Sequence, residues 1–204
     1  MEDSMRNTLR IAFLLAVLHL VLIPAGAAAE CVQGDCENGK GKLTLPGEIT
    51  YAGEFKDGRY HGKGTLTFPN GTSYKGEFVE GQFHGNGVYT FANGGKYEGE
   101  FKDGQIEGKG VRVFPDGRRY EGDFKNGGFH GQGTLTTPDG RSYVGSFQDN
   151  QIQGEGVMTF SDGKKYEATF ENGVPVGKGV FVWPGGKRTK GEFRNGKFFG
   201  RDRK

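Results

Sequence analysis

The stretch Tyr74-Lys75-Gly76-Glu77-Phe78-Val79-Glu80-Gly81-Gln82-Phe83-His84-Gly85-Asn86-Gly87 decides the fold, because its pattern returns along the chain with its spacing intact. The tyrosine recurs as Tyr51, Tyr74, Tyr97, Tyr120, Tyr143 and Tyr166, every 23 residues, without insertion or deletion. Glycine stands two residues later, at Gly53, Gly76, Gly99, Gly122 and Gly145, with Ala168 as the exception. Phenylalanine stands four later, at Phe55, Phe78, Phe101, Phe124, Phe147, Phe170 and again Phe193. A fixed period of this kind marks a repeat architecture in which each copy is one supersecondary unit.

Within a copy the apolar positions alternate, and the alternation is interrupted by Asp57-Gly58, Glu80-Gly81, Asp103-Gly104, Asn126-Gly127, Asn172-Gly173 and Asn195-Gly196. Such pairs are the strongest short-range signal of a β-hairpin. Asp149-Asn150 breaks the glycine rule with the residue that best tolerates a left-handed backbone, so the position calls for positive φ. The second strand carries paired glycines, Gly62 and Gly64, Gly85 and Gly87, Gly131 and Gly133. Leu66 and Phe68, Tyr89 and Phe91, or Phe181 and Trp183 then continue the same strand face. Glycine weakens a strand, so its placement beside aromatic positions predicts a ring lying flat across bare backbone. Thr65, Thr67, Val111, Val113, Val180 and Val182 belong to the opposite, partly exposed face. Pro69-Asn70-Gly71, Pro115-Asp116-Gly117, Pro138-Asp139-Gly140 and Pro184-Gly185-Gly186 link one hairpin to the next.

These elements predict an all-β protein, an elongated, single-layer antiparallel sheet of stacked 23-residue β-hairpins. With strands ~4.8 Å apart, six units should extend roughly 55 to 60 Å. Six full units occupy residues 51–188, an N-terminal half-unit residues 30–50, and a partial seventh unit residues 189–204. The last four residues, Arg201-Asp202-Arg203-Lys204, are charged, as exposed sheet edges are when they avoid pairing with other chains.

Residues 1–29 read as a helical signal peptide: Arg6 and Arg10 are basic, residues 11–23 are apolar, and Ala27-Ala28-Ala29 is a small-residue cleavage pattern. The apolar stretch falls short of the roughly 20 residues that span a bilayer. Export to the periplasm or the cell exterior, with membrane association there, is the expectation. Cys31 and Cys36 are the only cysteines, and an even pair in an oxidising compartment predicts a disulfide. Glu30 before Cys31 argues against a lipidated N-terminus.

Composition fits the same picture. The 39 glycines exceed an ordinary share, and 17 Phe with 8 Tyr supply a thin aromatic core. Lys plus Arg number 27 against 25 Asp plus Glu, so no global field draws the chain to nucleic acid.

The unit quoted above resembles the MORN repeat (membrane occupation and recognition nexus), over about residues 36–200. The resemblance implies elongated antiparallel sheets that mediate protein contacts and self-association, with links to phospholipid head groups in some members. It also implies that catalysis in family enzymes resides in a separate domain, and no segment of this chain fits one. Departures from the pattern are Glu107, Gln153, Val176 and Phe199 where histidine is common, and Ala168 and Thr189 in the glycine and tyrosine positions.

Candidate reactive groups are few. His61, His84 and His130 recur at one position, but copies ~10 Å apart cannot share a zinc that needs ligands near 2.1 Å. Ser73 and Ser142 lack a base at any useful spacing. No catalytic, metal or cofactor site is expected. Glu54, Glu77, Glu100, Asp123 and Glu192 alternate with Lys56, Lys102, Lys125 and Arg194 and read as a solvated, compensated surface. The sharper feature is a row beside the linking turns: Lys96, Arg118, Arg119, Arg141, Lys164, Lys165, Lys187 and Arg188. Its expected ligands are anionic head groups or another polyanion, the alternative being a gatekeeping role in solubility. A protein partner, or a second copy, is the leading expectation for the array as a whole.

Overall fold

A computed structural model describes residues 29–200. The signal segment lies outside these residues except for Ala29, and so does the charged end at 201–204. The chain divides at Pro115 and Asp116 into two compact units. The first contains β1 (Glu30–Gly34), β2 (Lys40–Leu45), β3 (Ile49–Lys56), β4 (Arg59–Thr67), β5 (Ser73–Val79), β6 (Gln82–Thr90), β7 (Lys96–Lys102) and β8 (Gln105–Val113). The second contains β9 (Arg119–Lys125), β10 (Gly128–Thr136), β11 (Ser142–Gln148), β12 (Gln151–Thr159), β13 (Lys165–Glu171), β14 (Val174–Val182), β15 (Arg188–Arg194) and β16 (Lys197–Gly200). In each unit the strands pair antiparallel in sequence order, an open meander of hairpins. No helix occurs among the described residues.

The hairpin turns have both central residues at positive φ, as at Asp57 (51°) and Gly58 (69°), and also at Asp149 (49°) and Asn150 (69°). This is the turn whose twist matches the flanking strands. Its two-residue length sets Phe55 opposite Tyr60, Phe78 opposite Phe83, and Phe124 opposite Phe129.

Two residues further along, the register slips. Gly53 faces Gly64 while Glu54 faces His61, so Gly62 and Lys63 bulge out of the second strand. The same slip follows Gly76 in β5, Gly99 in β7 and Ala168 in β13. Gly62 takes φ 53° at the bulge, a conformation that side chains with a Cβ rarely adopt. The paired glycines therefore do different jobs, where one shared role under a ring was expected. The first permits the bulge, and only the second lies beneath a ring.

The acidic row also has a structural use beyond surface compensation. Glu100 Oε1 accepts the N–H of Lys109 at 2.8 Å, and Asp123 Oδ2 accepts that of Gln132 at 2.9 Å. Both amides belong to the bulged segment, which a carboxylate of the first strand thereby caps.

The ring-bearing positions line one face. Tyr51, Tyr74, Tyr97 and Tyr120 are fully buried, and Phe55, Phe78, Phe101, Phe124, Phe147 and Phe170 nearly so. A sheet with no second layer achieves this because the rings lie down and cover one another. Tyr51 stacks on Tyr60 (3.9 Å, 14°) and meets Phe55 and the next copy's Phe78 edge-on at 5.0 and 5.1 Å. Tyr74, Tyr120 and Tyr143 likewise meet Phe101, Phe147 and Phe170 of the following copy at 4.9, 5.0 and 5.2 Å, and each buried ring contributes about 2 kcal/mol.

Candidate functional site

The recurring tyrosine occupies a slot made by absence of side chains. A Cβ on Gly76 would lie 2.5 Å from Tyr74 Oη, and one on Gly87 2.5 Å from Tyr74 Cε2. Gly76 and Gly87 are paired in register, and the pairing continues as an unbroken glycine column from Gly41 through Gly53, Gly64, Gly76, Gly87 and Gly99 to Gly110. In the second unit the column runs Gly122, Gly133, Gly145, Gly156, Ala168, Gly179, Gly191 and Gly200.

The hydroxyl explains why the ring is tyrosine. Tyr74 Oη donates toward the carbonyls of Glu77 (2.9 Å) and His84 (3.1 Å), the two residues that flank the bulge. Tyr51 and Tyr120 make the equivalent contacts with Glu54 and His61, and with Asp123 and His130. The phenol thus reaches both carbonyls beside the bulge from within the ring layer. Burial pushes the Tyr74 and Tyr143 phenols up to about 12, with the contribution of the backbone hydrogen bonds acting the other way. Tyr166 alone among the six is only partly buried.

The basic row is less free than its composition suggests. In the linking turns Asn70 Oδ1 and Asn93 Oδ1 accept the N–H groups of Thr72 (2.9 Å) and Gly95 (3.1 Å). Asp116, Asp139 and Asp162 do the same for Arg118, Arg141 and Lys164, at 3.0, 3.3 and 3.1 Å. Their second oxygens take the side-chain cations of those same residues, at 2.7, 2.8 and 2.6 Å. The Thr137 hydroxyl and Arg141 hold the Asp139 carboxyl below its usual range, and Lys164 does so for Asp162. Arg119 pairs with Glu121 at 2.7 Å, and Arg188 reaches across β14 to Glu167 at 2.8 Å. Among the described residues no carboxylate lies within ion-pair distance of Lys96, Lys165 or Lys187.

Cys31 and Cys36 form a disulfide between β1 and the turn that follows it. His61, His84 and His130 lie opposite Glu54, Glu77 and Asp123, in separate hairpins. Among the described residues no three His, Cys, Asp or Glu side chains gather to hold a metal ion.

Two sets of residues escaped the reading of the sequence. Phe83, Phe129 and Ile152 are buried, one position before the histidine column, and complete the ring layer. The two-residue turn was their signal, because it places them directly across from Phe78, Phe124 and Phe147. Asn150 also does more than tolerate its backbone: its Oδ1 accepts the N–H of Phe129 at 2.7 Å, and Gly128 leaves the room for it.

Comparison with known proteins agrees with this geometry. No curated protein matches the chain significantly. The TCP domain of Drosophila melanogaster SAS-4 (dCPAP), solved in complex with a proline-rich motif of Ana2 (dSTIL), is similar with a TM-score of 0.51 at 10% identity, over 81% of this chain and 90% of that one. The G-box domain of the microcephaly protein CPAP has a TM-score of 0.49 at 14% identity, over 82% and 100%. The first of these likenesses is one of fold. The MORN repeat profile matches residues 51–73, 74–96, 97–118, 120–140, 143–165 and 166–188 in succession, so the chain belongs to the MORN repeat family.

Proposed function

We propose that this chain is a non-catalytic interaction scaffold, exported through the segment at 1–29, which binds a protein partner or a second copy of itself in the cell envelope. One observation carries the reading: the residues that recur in every copy are used up inside the fold. Tyrosine serves the bulge carbonyls, glycine makes the slots, and the turn Asp or Asn holds a backbone amide. What varies between copies lies on the face opposite the rings. There β14 carries Val174, Val176, Val180 and Val182, where β4 carries Arg59, His61, Thr65 and Thr67. Surface variation on a fixed frame is how repeat arrays acquire partners. The proline-rich motif bound by the Drosophila domain supports a protein as the class of partner.

Crosslinking with mass spectrometry in the native cell tests this. Crosslinks from Lys178, within the valine strand, or from Lys190, opposite Val180 on β15, to another exported protein or to a second copy are expected. A monomeric protein with no crosslinked partner would count against the scaffold.

A second reading, binding of anionic phospholipid, is favoured at Lys165 and Lys187, which have no carboxylate within ion-pair distance among the described residues. Sedimentation with phosphatidylglycerol vesicles should weaken on K165E/K187E and stay unchanged on R118E/R141E. Equal behaviour of the two variants would remove the lipid assignment.

A further inference from the structure

The N-terminal edge of the first unit is closed by different chemistry from the rest. Residues 28–50 are one period upstream of the first full copy, yet Ala28 stands in the tyrosine position. Gly41 nevertheless keeps its place in the glycine column, opposite Gly53. A Cβ on Gly41 would lie 2.8 Å from Cys36 Sγ. The disulfide therefore covers the terminal glycine as a tyrosine ring covers Gly64, Gly87 and Gly110.

What the bond holds is otherwise weakly held. All five residues of β1 are exposed, and its short ladder to β2 breaks register between Cys31 and Gln33. The turn that follows is anchored independently. Gly39 O accepts Phe55 N–H at 2.7 Å, Glu37 O accepts Gly58 N–H at 3.0 Å, and Asn38 Oδ1 accepts Asp57 N–H at 3.0 Å. Loss of the disulfide would thus free β1 and leave the turn in place.

We infer that the Cys31–Cys36 bond is a redox latch on this sheet edge: oxidised, it keeps β1 against β2, and reduced, it lets β1 leave and bares the outer edge of β2. Cys31 is exposed and open to a dithiol reductant. One reductant thiolate attacks a protein sulfur to give a mixed disulfide, and the second displaces it. Two electrons and both thiol hydrogens pass to Cys31 and Cys36, while the reductant becomes a disulfide. A bare edge of β2 presents unpaired amides and carbonyls, the template on which another chain adds a strand.

Hydrogen exchange read by mass spectrometry on the full chain tests the latch, comparing the oxidised protein, the protein reduced with dithiothreitol, and the C31S/C36S variant without reductant. Exchange in residues 30–34 and in the β1-facing amides of β2 should rise roughly tenfold or more in the last two samples, with β4 to β8 unchanged. Protection of β1 that survives reduction and substitution would overturn the inference. So would acceleration that spreads into β4 to β8, because the bond would then be a general staple. Both readouts concern the purified chain, so neither depends on the export or partner reading.

Discussion

Tyr143 and Tyr166 open adjacent copies of one repeat and end in different places, and a single methyl group separates them. Tyr143 is 2% exposed, lies over Gly145 and Gly156, and points its hydroxyl at the carbonyls of Ser146 and Glu155. In the next copy Ala168 replaces the first glycine, and its methyl stands where the phenol would lie. Tyr166 moves out to Phe160 (4.9 Å), Phe181 (5.0 Å) and Phe193 (5.0 Å), with no hydrogen-bond partner for its hydroxyl among the described residues. Phe193, from the following copy, takes the vacated place over Gly179, where a Cβ would lie 2.5 Å from its ring. The slot is a volume that some ring must fill, and glycine decides which ring fills it.

The broadest way to break this comparison is alkali. Burial holds the slotted phenols of Tyr74 and Tyr143 near 12, against an ordinary value near 10. A raised folded-state value means that the unfolded chain releases these protons first. The stabilisation is therefore complete below pH 10 and falls as pH climbs from 10 to 12. Cooperative loss of β structure in that window is expected by circular dichroism, and ultraviolet titration should show Tyr166 ionising ahead of the slotted tyrosines. A fold that persists above pH 12 would show that the phenols need not stay protonated.

A more local break copies the defect into a regular repeat. Gly76→Ala places a methyl 2.5 Å from Tyr74 Oη and 2.7 Å from Gly87 Cα. It should cost about 1–3 kcal/mol in urea denaturation, the usual range for overpacking. The sixth copy has Pro175 where the second has Phe83, and Phe101, the counterpart of Phe193, packs on both Tyr74 at 4.9 Å and Phe83 at 5.9 Å, so it is less free to replace Tyr74. A loss below about 0.5 kcal/mol, the level of an ordinary surface change, would mean that the slot yields easily.

Much of this was legible in the residues alone. The period, the hairpin turns and the ring-over-glycine contact follow from spacing and alternation. The two roles of the paired glycines did not, because Gly62 and Gly64 look alike until the register slip between Gly53 and Glu54 separates them. The ion pairs of the basic row were hidden for a different reason: Asp116, Asp139 and Asp162 stand two residues upstream inside the turns, where their side chains also shape the turn. Glu167 and Arg188 lie 21 residues apart, and only strand order brings them together. Local chemistry was readable, whereas partnerships that depend on register were not.

The hydroxyl separates the two tyrosines more finely. Tyr74→Phe keeps the ring but removes the hydroxyl's contacts with the carbonyls of Glu77 and His84, for an expected loss of about 1–2 kcal/mol. Tyr166→Phe removes a hydroxyl with no internal acceptor and should stay within about 0.5 kcal/mol. Equal losses in thermal denaturation would show that the hydroxyl bond across the bulge contributes nothing.

The smallest effect is the most specific. Ala168→Gly removes the methyl that excludes Tyr166, but Phe193 already occupies the place over Gly179. Tyr166 gains the carbonyl of Thr169 across the bulge, while the glycine adds chain entropy to the unfolded state, about 0.5–1 kcal/mol relative to alanine. These terms nearly cancel, so stability should change by less than about 1 kcal/mol. The rings should still exchange places, with Tyr166 protected and its ionisation moved toward that of Tyr143. Unchanged titration of Tyr166 in the A168G variant would show that the seventh copy's Phe193, rather than the methyl, keeps the tyrosine out, and the double variant A168G/F193A would then admit it.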